Sequence, residues 1–205
     1  MSNKPSTRGT SLDPRARRTR ALLRTAVLDL SMEKDLDSIT MGDIAQRAEV
    51  NRATVYLHYK DREDLLLDAT ESTMEGVVEA ARACRLTADA HALSDTAPAH
   101  LISLFAQVDH HRAVYRRMLG EDGSPRFAAR LEHLLAQAWF EQLLTETPAG
   151  ASDETALLVR AHFLGGAMLA VIGRWTRGEF DGEDGRGMSV AAAADLTWAL
   201  IRSRL

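Results

Sequence analysis

Apolar residues recur every three to four positions along most of the chain, which is the period of amphipathic helices. The first such segment begins at Asp13-Pro14, where an N-cap precedes a proline at the first helical position, and runs to about Glu33. Its apolar residues share one face: Leu22, Leu23, Ala26, Val27 and Leu30. No segment alternates convincingly with a period of two, so the pattern predicts an all-α protein without a sheet.

Three further helices follow a polar break. Thr40 caps the first, with Asp43 at the spacing of a capping box, and Asn51 caps the second. Asp61 caps the third, which we expect to extend into the low eighties. The first two are separated only by residues 49–51, and so short a linker forces the steep crossing of a helix-turn-helix.

The second short helix has two distinguishable faces. Val55 and Tyr59 are spaced i, i+4 and are predicted to pack inward against the first helix of the chain. Arg52, Tyr56 and Lys60 form an outward row that contains no carboxylate. Such a row suits contact with phosphates and base edges in a major groove of DNA. The alternative is a solvated helix with a stray basic face.

The rest of the chain predicts five longer helices, at about 97–108, 109–119, 124–146, 153–177 and 188–204, with proline and glycine at the breaks. The resulting organisation has three parts. We expect residues 1–12 to form a disordered basic arm, 13–60 to form a three-helix DNA-binding domain with a helix-turn-helix, and 61–205 to form a helical rear domain.

Charge supports a DNA partner at one end. The 205 residues carry a net charge of −4, but residues 1–60 hold 11 Lys and Arg against 7 Asp and Glu. A single cysteine excludes an intrachain disulfide framework. The start lacks an apolar signal core, and the longest apolar run, 163–173, is shorter than the roughly 20 residues of a membrane span. We therefore expect a cytoplasmic protein that contacts no membrane.

No residues predict catalysis, a metal site or a cofactor. No nucleophile–base pair stands out. The histidines at 110, 111, 133 and 162 lack the i, i+4 spacing of a zinc-binding helix, and the acidic stretch 179–187 lacks the alternation of a calcium loop. We expect a protein that is not an enzyme. A helical enzyme or small-molecule carrier with an incidental helix-turn-helix is the alternative from another class.

Twelve residues in the segment 40–65 follow a known pattern: Thr40, Ile44, Ala45, Ala48, Val50, Thr54, Val55, Tyr56, His58, Tyr59, Glu63 and Leu65. In them the chain resembles the TetR family of transcriptional regulators, of the TetR/AcrR type. Four positions depart from that family. Glu49 stands in place of the turn glycine, Asn51 of serine and Arg62 of lysine, and Tyr59, which matches as an aromatic residue, stands in place of phenylalanine.

The resemblance implies a set of DNA contacts. It assigns phosphate binding to Thr40, Tyr56, His58 and Arg62, and it places Arg52, Ala53 and Thr54 towards the bases. Lys60 completes the outward row. Arg17 and Arg18, with their neighbours Arg15 and Arg20, open the first helix and are expected to reach flanking phosphates or the minor groove.

For the rear domain the resemblance implies a small-molecule site and a homodimer. The expected function is a repressor that a small hydrophobic or aromatic effector releases from an inverted-repeat operator in double-stranded DNA; a regulator that answers to a protein partner is the alternative. The candidate effector residues are Met74, Val78, Leu101, Phe105, Val108, Tyr115, Met118, Leu131, Leu135 and Trp139. The candidate dimer residues are Gly166, Ala170, Gly173, Ala191, Ala194 and Trp198. Both sets are open to another interpretation, as a filled core and as packing within one chain.

Overall fold

All regular structure in the described part of the chain is helical, which confirms the predicted fold class. The structure is a computed structural model that describes residues 13–84, 96–147, 153–182 and 187–202. The predicted arm, 1–12, lies outside the described residues. By internal contacts the chain divides into two compact units, Met1–Ala69 and Thr70–Leu205.

The first unit contains α1, α2, α3 and the start of α4. These helices span Pro14–Glu33, Met41–Arg47, Arg52–His58 and Arg62–Ala83, and a short 3-10 turn at Leu36–Ser38 follows α1. The helix α4 continues past Ala69 into the second unit. That unit also contains α5 to α9, which span Ala99–His110, Arg112–Met118, Pro125–Glu146, Glu154–Thr176 and Val190–Arg202. The predicted helix ends agree with these to within a few residues.

Side-chain caps fix the helix starts of the first unit. Thr40 Oγ1 accepts a hydrogen bond from the Asp43 backbone N–H at 3.1 Å, and Asp43 Oδ2 accepts from the Thr40 N–H at 2.8 Å. This reciprocal pair is the predicted capping box. The other predicted caps are also present: Asp13 accepts from Arg15, Asn51 from Ala53 and Asp61 from Asp64.

The core of the first unit forms where the apolar stripes of its helices meet. Leu23 and Val27 of α1, Ile44 of α2, Val55 of α3 and Leu65 of α4 are all fully buried. Because all five lie on the faces that the 3.6-residue period indicates, burial of these faces stabilises the arrangement that presents the opposite face of α3 to solvent.

Large aromatic side chains fill the core of the second unit. Phe105 and Trp175 pack edge to face with their ring centroids 5.2 Å apart. The hydroxyl of Tyr115 donates to the backbone oxygen of Thr73 at 2.9 Å, which ties α6 to α4. The helices α7 and α8 lie against each other, and Gly165 allows their close approach, because a Cβ there would lie 3.2 Å from the backbone nitrogen of Ala136.

Among the described residues, one helix is long and apolar enough to cross a membrane by length and composition. It is α8, whose mean hydropathy reaches 1.7 over 18 residues. Length and composition alone are weak grounds for a membrane span, since core helices of soluble proteins meet the same criteria. In this structure α8 packs along α7.

Candidate DNA-binding interface

The turn between α2 and α3 is held in a left-handed conformation. Glu49 has a φ of 54°, where the related family has glycine. The turn is closed by backbone hydrogen bonds from Glu49 to Gln46, at 3.2 Å, and from Val50 to Ala45, at 3.0 Å. The left-handed backbone conformation at position 49 is therefore adopted by a glutamate, which is strained there. The hydrogen bonds around Glu49 fix the crossing of α2 and α3.

The helix α3 presents one face to the core and another to solvent. Val55 is fully buried and Tyr59, which follows the helix end, is 3% exposed, as predicted. On the outer side Arg52, Ala53 and Tyr56 are exposed. Thr54 and His58 are partly buried, and Lys60 beyond the helix is exposed. The residues 52–58 include no carboxylate, so no acidic side chain of α3 opposes a polyanion on this face.

Arg52 and Tyr56 lie one helical turn apart and contact each other. The Arg52 Nη2 donates to the Tyr56 hydroxyl at 3.4 Å, and its Cζ lies 5.8 Å from the centroid of the tyrosine ring. The hydrogen bond to Tyr56 raises the pKa of Arg52 above its ordinary value. The pair therefore presents a permanent positive charge supported by an aromatic ring on one flank of α3.

Tyr59, Asp68 and Arg20 connect the end of α3 to α4 and α1. The Tyr59 hydroxyl donates to Asp68 Oδ2, and Arg20 Nη2 donates to Asp68 Oδ1 at 2.8 Å. Arg24 adds a weaker ion pair with the same carboxylate at 3.9 Å. Burial, followed by the hydrogen bond to Asp68, raises the pKa of Tyr59 to about 12. Sequence analysis placed Arg20 near DNA, but the structure assigns its guanidinium to this cluster.

Arg62, a predicted phosphate contact, is engaged inside the protein. Its Nη1 donates to the backbone oxygen of Leu36, and its Nη2 donates to Asp37 at 3.0 Å and to Glu63 at 3.2 Å. The side chain is only 20% exposed. In this structure Arg62 therefore ties α4 to the 3-10 turn, and its contact with phosphate remains a prediction.

Thr40 is another predicted phosphate contact, and its hydroxyl donates to Asp43 Oδ2 at 2.8 Å. The two hydrogen bonds from Thr40 and an ion pair with Lys34 at 3.0 Å lower the pKa of Asp43 to about 2. Arg17 and Arg18 both project from α1 as exposed side chains. These two cations are accessible to a flanking phosphate, whereas Thr40 serves the α2 cap.

The ten predicted effector residues are all buried in the second unit. Met118 also lines a cleft of about 370 Å³ between the loop after α6 and α8, where Arg174, Arg177 and Glu121 are the charged lining residues. Deeper in the unit, Trp139 is 1% exposed and its indole Nε1 has no hydrogen-bond acceptor among the described residues. Across those same residues no group of three or more His, Cys, Asp or Glu is placed to hold a metal ion.

The six predicted dimer residues fall into two groups. Gly166, Ala170 and Ala191 are exposed on α8 and α9, and a Cβ at Gly166 would meet no atom within 4 Å. Gly173, Ala194 and Trp198 are buried against their own chain. Little of their surface is therefore left for contact with a second copy. Sequence analysis missed Val159 and Phe163, which are apolar and exposed on α8. Their i, i+4 spacing, continued at Ala170, was the available signal.

The fold and the helix-turn-helix define a helical DNA-binding class of protein, and sequence comparison shows which family the N-terminal segment resembles. Residues 23–69 match the sequence model of the bacterial regulatory proteins of the tetR family. Through this N-terminal segment the chain is similar to the TetR family.

Two curated relatives align over 60 residues in the same way. They are the uncharacterized HTH-type transcriptional regulators YxbF and YdeS of Bacillus subtilis strain 168, at 37% and 35% identity. Each alignment covers 29% of this chain, but only 16% and 30% of the respective relatives. The likeness therefore extends over less than a third of this chain.

Solved structures resemble the chain over most of its length. A TetR transcriptional regulator from Streptococcus agalactiae 2603V superposes with a TM-score of 0.62 at 17% identity, covering 91% of this chain and 95% of that one. The fatty acid degradation regulator FadR from Bacillus halodurans superposes with a TM-score of 0.58 at 15% identity, covering 94% and 96%. At these identities the likeness establishes the fold alone.

Proposed function

We propose that this chain is a cytoplasmic, DNA-binding transcriptional regulator that acts as a repressor on an inverted-repeat operator and is released by a small hydrophobic or aromatic effector. The observation that carries the proposal is the construction of α3. Its buried face is fixed by Val55 and Tyr59, and its exposed face holds Arg52 and Tyr56 without a carboxylate. A helix held in this way is suited to enter a major groove.

Cations around α3 supply the sequence-independent part of the proposed affinity. Arg17, Arg18 and Lys60 are exposed in the same unit as α3. Neutralising DNA phosphates with such side chains releases counterions, so binding should weaken as salt concentration rises. Exposed groups of this kind position the protein, whereas the residues on α3 select the sequence.

A homodimer would cover the apolar surface of α8 and α9. Val159 and Phe163 on α8 are 64% and 57% exposed, and Leu196 and Leu200 on α9 are 57% and 58% exposed. Together with the small residues Gly166 and Ala170 they supply the bulky and small side chains that a bundle of two helices from each copy requires. A two-fold dimer reads an inverted repeat with one recognition helix in each half-site.

The effector site is proposed in the core of the second unit. The ten candidate residues are apolar apart from the hydroxyl of Tyr115, which is already bonded to Thr73, and the indole N–H of Trp139. A buried donor without an acceptor is unusual in a folded protein. The Trp139 N–H is therefore suited to a ligand that pairs an apolar body with one hydrogen-bond acceptor. Since α4 continues from this unit into the first, it is the proposed route of release.

DNA binding is tested by selection of duplexes from a random library with the purified protein, followed by fluorescence anisotropy on the recovered sequence at several salt concentrations. We expect a palindromic motif and a linear fall of log K with log salt. Recovery of no common motif, with binding that does not depend on salt, would contradict the proposal.

A further inference from the structure

The outermost residues of α3 are both apolar, and they lie on the side opposite its buried residue. At 3.6 residues per turn, positions two before and two after Val55 lie roughly 160° to 200° around the helix from it. These positions are Ala53 and Leu57. Ala53 is exposed, and Leu57 is 82% exposed, more than any other large apolar side chain in the described residues.

The charged and aromatic residues of α3 lie to the side of this pair. Arg52 and Tyr56 contact each other through a hydrogen bond at 3.4 Å, and they occupy one flank of the helix. If the side of α3 opposite Val55 faces the groove floor, the flank faces the phosphates that line the groove. The base edges then meet the methyl group of Ala53 and the isobutyl group of Leu57.

We propose that Ala53 and Leu57 read thymine through its C5-methyl group, which makes Leu57 a residue that determines operator specificity. The inference rests on the proposed function. Of the four bases, thymine alone presents a methyl group in the major groove, while the other edges present hydrogen-bond donors and acceptors there. A leucine against such polar edges would leave them without partners, which is unfavourable. A leucine against a methyl group instead removes apolar surface from water on both molecules.

The spacing of the two residues adds a constraint. Ala53 and Leu57 are one helical turn apart, about 6 Å along the axis, so the methyl groups they contact lie within about two base-pair steps of 3.4 Å. The operator half-site should therefore contain thymine at one or two positions within that distance beneath α3.

The test removes single methyl groups from both partners. A duplex is first selected from a random library with the wild-type protein, and each thymine is then replaced in turn by deoxyuridine, which lacks only the methyl group. Affinities are measured by anisotropy for the wild type and for Leu57→Ala. Because Leu57 is exposed and alanine favours helix, this variant should fold, which circular dichroism checks.

We expect the wild type to lose roughly fourfold in affinity at one or two positions of each half-site when a methyl group is removed. Leu57→Ala should show less than about half of that loss in log affinity at the same positions. Leu144→Ala, at an exposed leucine of α7, is the matched control and should lose affinity as the wild type does. Equal losses in wild type and Leu57→Ala would overturn this inference alone. Failure of the wild type to select any sequence would overturn the proposed function and this inference with it.

Discussion

Arg20 Nη2 lies 2.8 Å from Asp68 Oδ1, which joins two residues 48 positions apart in the chain. Tyr59 completes the cluster, because its hydroxyl donates to the other oxygen of Asp68 and its ring lies 5.7 Å from the Arg20 guanidinium carbon. Tyr59 directly follows α3, so the cluster holds the end of this helix against α1 and α4. The related family usually has phenylalanine here, which could not make the bond to Asp68.

Replacing Tyr59 with phenylalanine should reveal how much this hydroxyl contributes. We expect the free energy of unfolding to fall by about 1.5–3 kcal/mol, because the hydroxyl's bond to the Asp68 carboxylate and the bond it accepts from Arg20 Nε at 3.3 Å are lost while the ring remains packed. Asp68→Asn should weaken the same cluster, so the double variant should lose less than the sum of the two single variants. Chemical denaturation measures all three. Strictly additive losses would mean that Tyr59 and Asp68 act independently.

Alkaline pH should destabilise the protein through Tyr59. Burial and the bond to Asp68 raise its pKa from 10.0 to about 12 in the folded state. The folded protein thus favours the neutral phenol, so its contribution is complete below pH 10 and is lost as pH rises towards 12. Urea midpoints should fall across this window in the wild type, and fall less in Tyr59→Phe. Tyr115, whose pKa burial also raises, is present in both proteins and cancels in the comparison.

Arg17 and Arg62 should respond differently to replacement by alanine. Arg17 is exposed on α1, so its loss should reduce the slope of log K against log salt by about one and weaken binding to all sequences alike. Arg62 donates to Leu36 and Asp37, so its loss should lower the free energy of unfolding by about 1.5 kcal/mol. Anisotropy at several salt concentrations and chemical denaturation separate the two effects. A reduced salt slope in Arg62→Ala with unchanged stability would instead restore its predicted phosphate contact.

The difference between Arg17 and Arg62 illustrates what sequence could predict. Helix caps such as Asn51, and the inward direction of Val55, depend on neighbours within one or two turns, so the local pattern determines them. Leu36, which accepts from Arg62, and Asp68, which accepts from Arg20, lie 26 and 48 residues away, and no local pattern specifies such contacts. Arg62 and Arg20, which are basic residues near helix starts, were therefore assigned to DNA by resemblance.

The same limit applies to apolar faces. The period of three to four residues correctly indicated that Trp198 and Ala194 lie on an apolar face of α9. It could not distinguish cover by α5 of the same chain from cover by a second copy, because both leave the same sequence pattern. In the structure α9 packs against α5, and both residues are buried within the chain.

Two adjacent glycines of α8 offer a test of the proposed dimer. Gly166 is exposed, and a Cβ there would contact nothing within 4 Å, so within one protomer Gly166→Phe should fold normally. In a dimer the same ring would overpack the interface, at a cost of about 1–3 kcal/mol or more. Gly165→Ala is the control, because its Cβ would lie 3.2 Å from Ala136 and should lower stability without dissociating the dimer. Analytical ultracentrifugation checks both, and a wild type that sediments as a monomer at micromolar concentration would refute the dimer.

The proposed effector release depends on a ligand in the core of the second unit, and Trp139 gives a test of it. Its Nε1 has no acceptor among the described residues, whereas Nε1 of Trp175 already donates to Met188 at 2.9 Å. Trp139→Phe should therefore weaken the binding of an acceptor-bearing effector by roughly 2- to 10-fold, the worth of one hydrogen bond, and leave operator affinity unchanged. Trp175→Phe is the matched control, and it should lower stability because it leaves a backbone oxygen unpaired.

The same effector must also be linked to DNA. A ligand that favours the state with weak operator affinity, by a coupling of about 1–3 kcal/mol, weakens operator binding roughly 5- to 150-fold. Reciprocity requires that saturating operator weaken effector binding by the same factor. A ligand found by thermal-shift screening can be titrated by calorimetry with and without the selected duplex. Equal ligand affinities in the two titrations would eliminate release by that ligand, even with both sites occupied, because an effector that binds both states equally shifts no equilibrium.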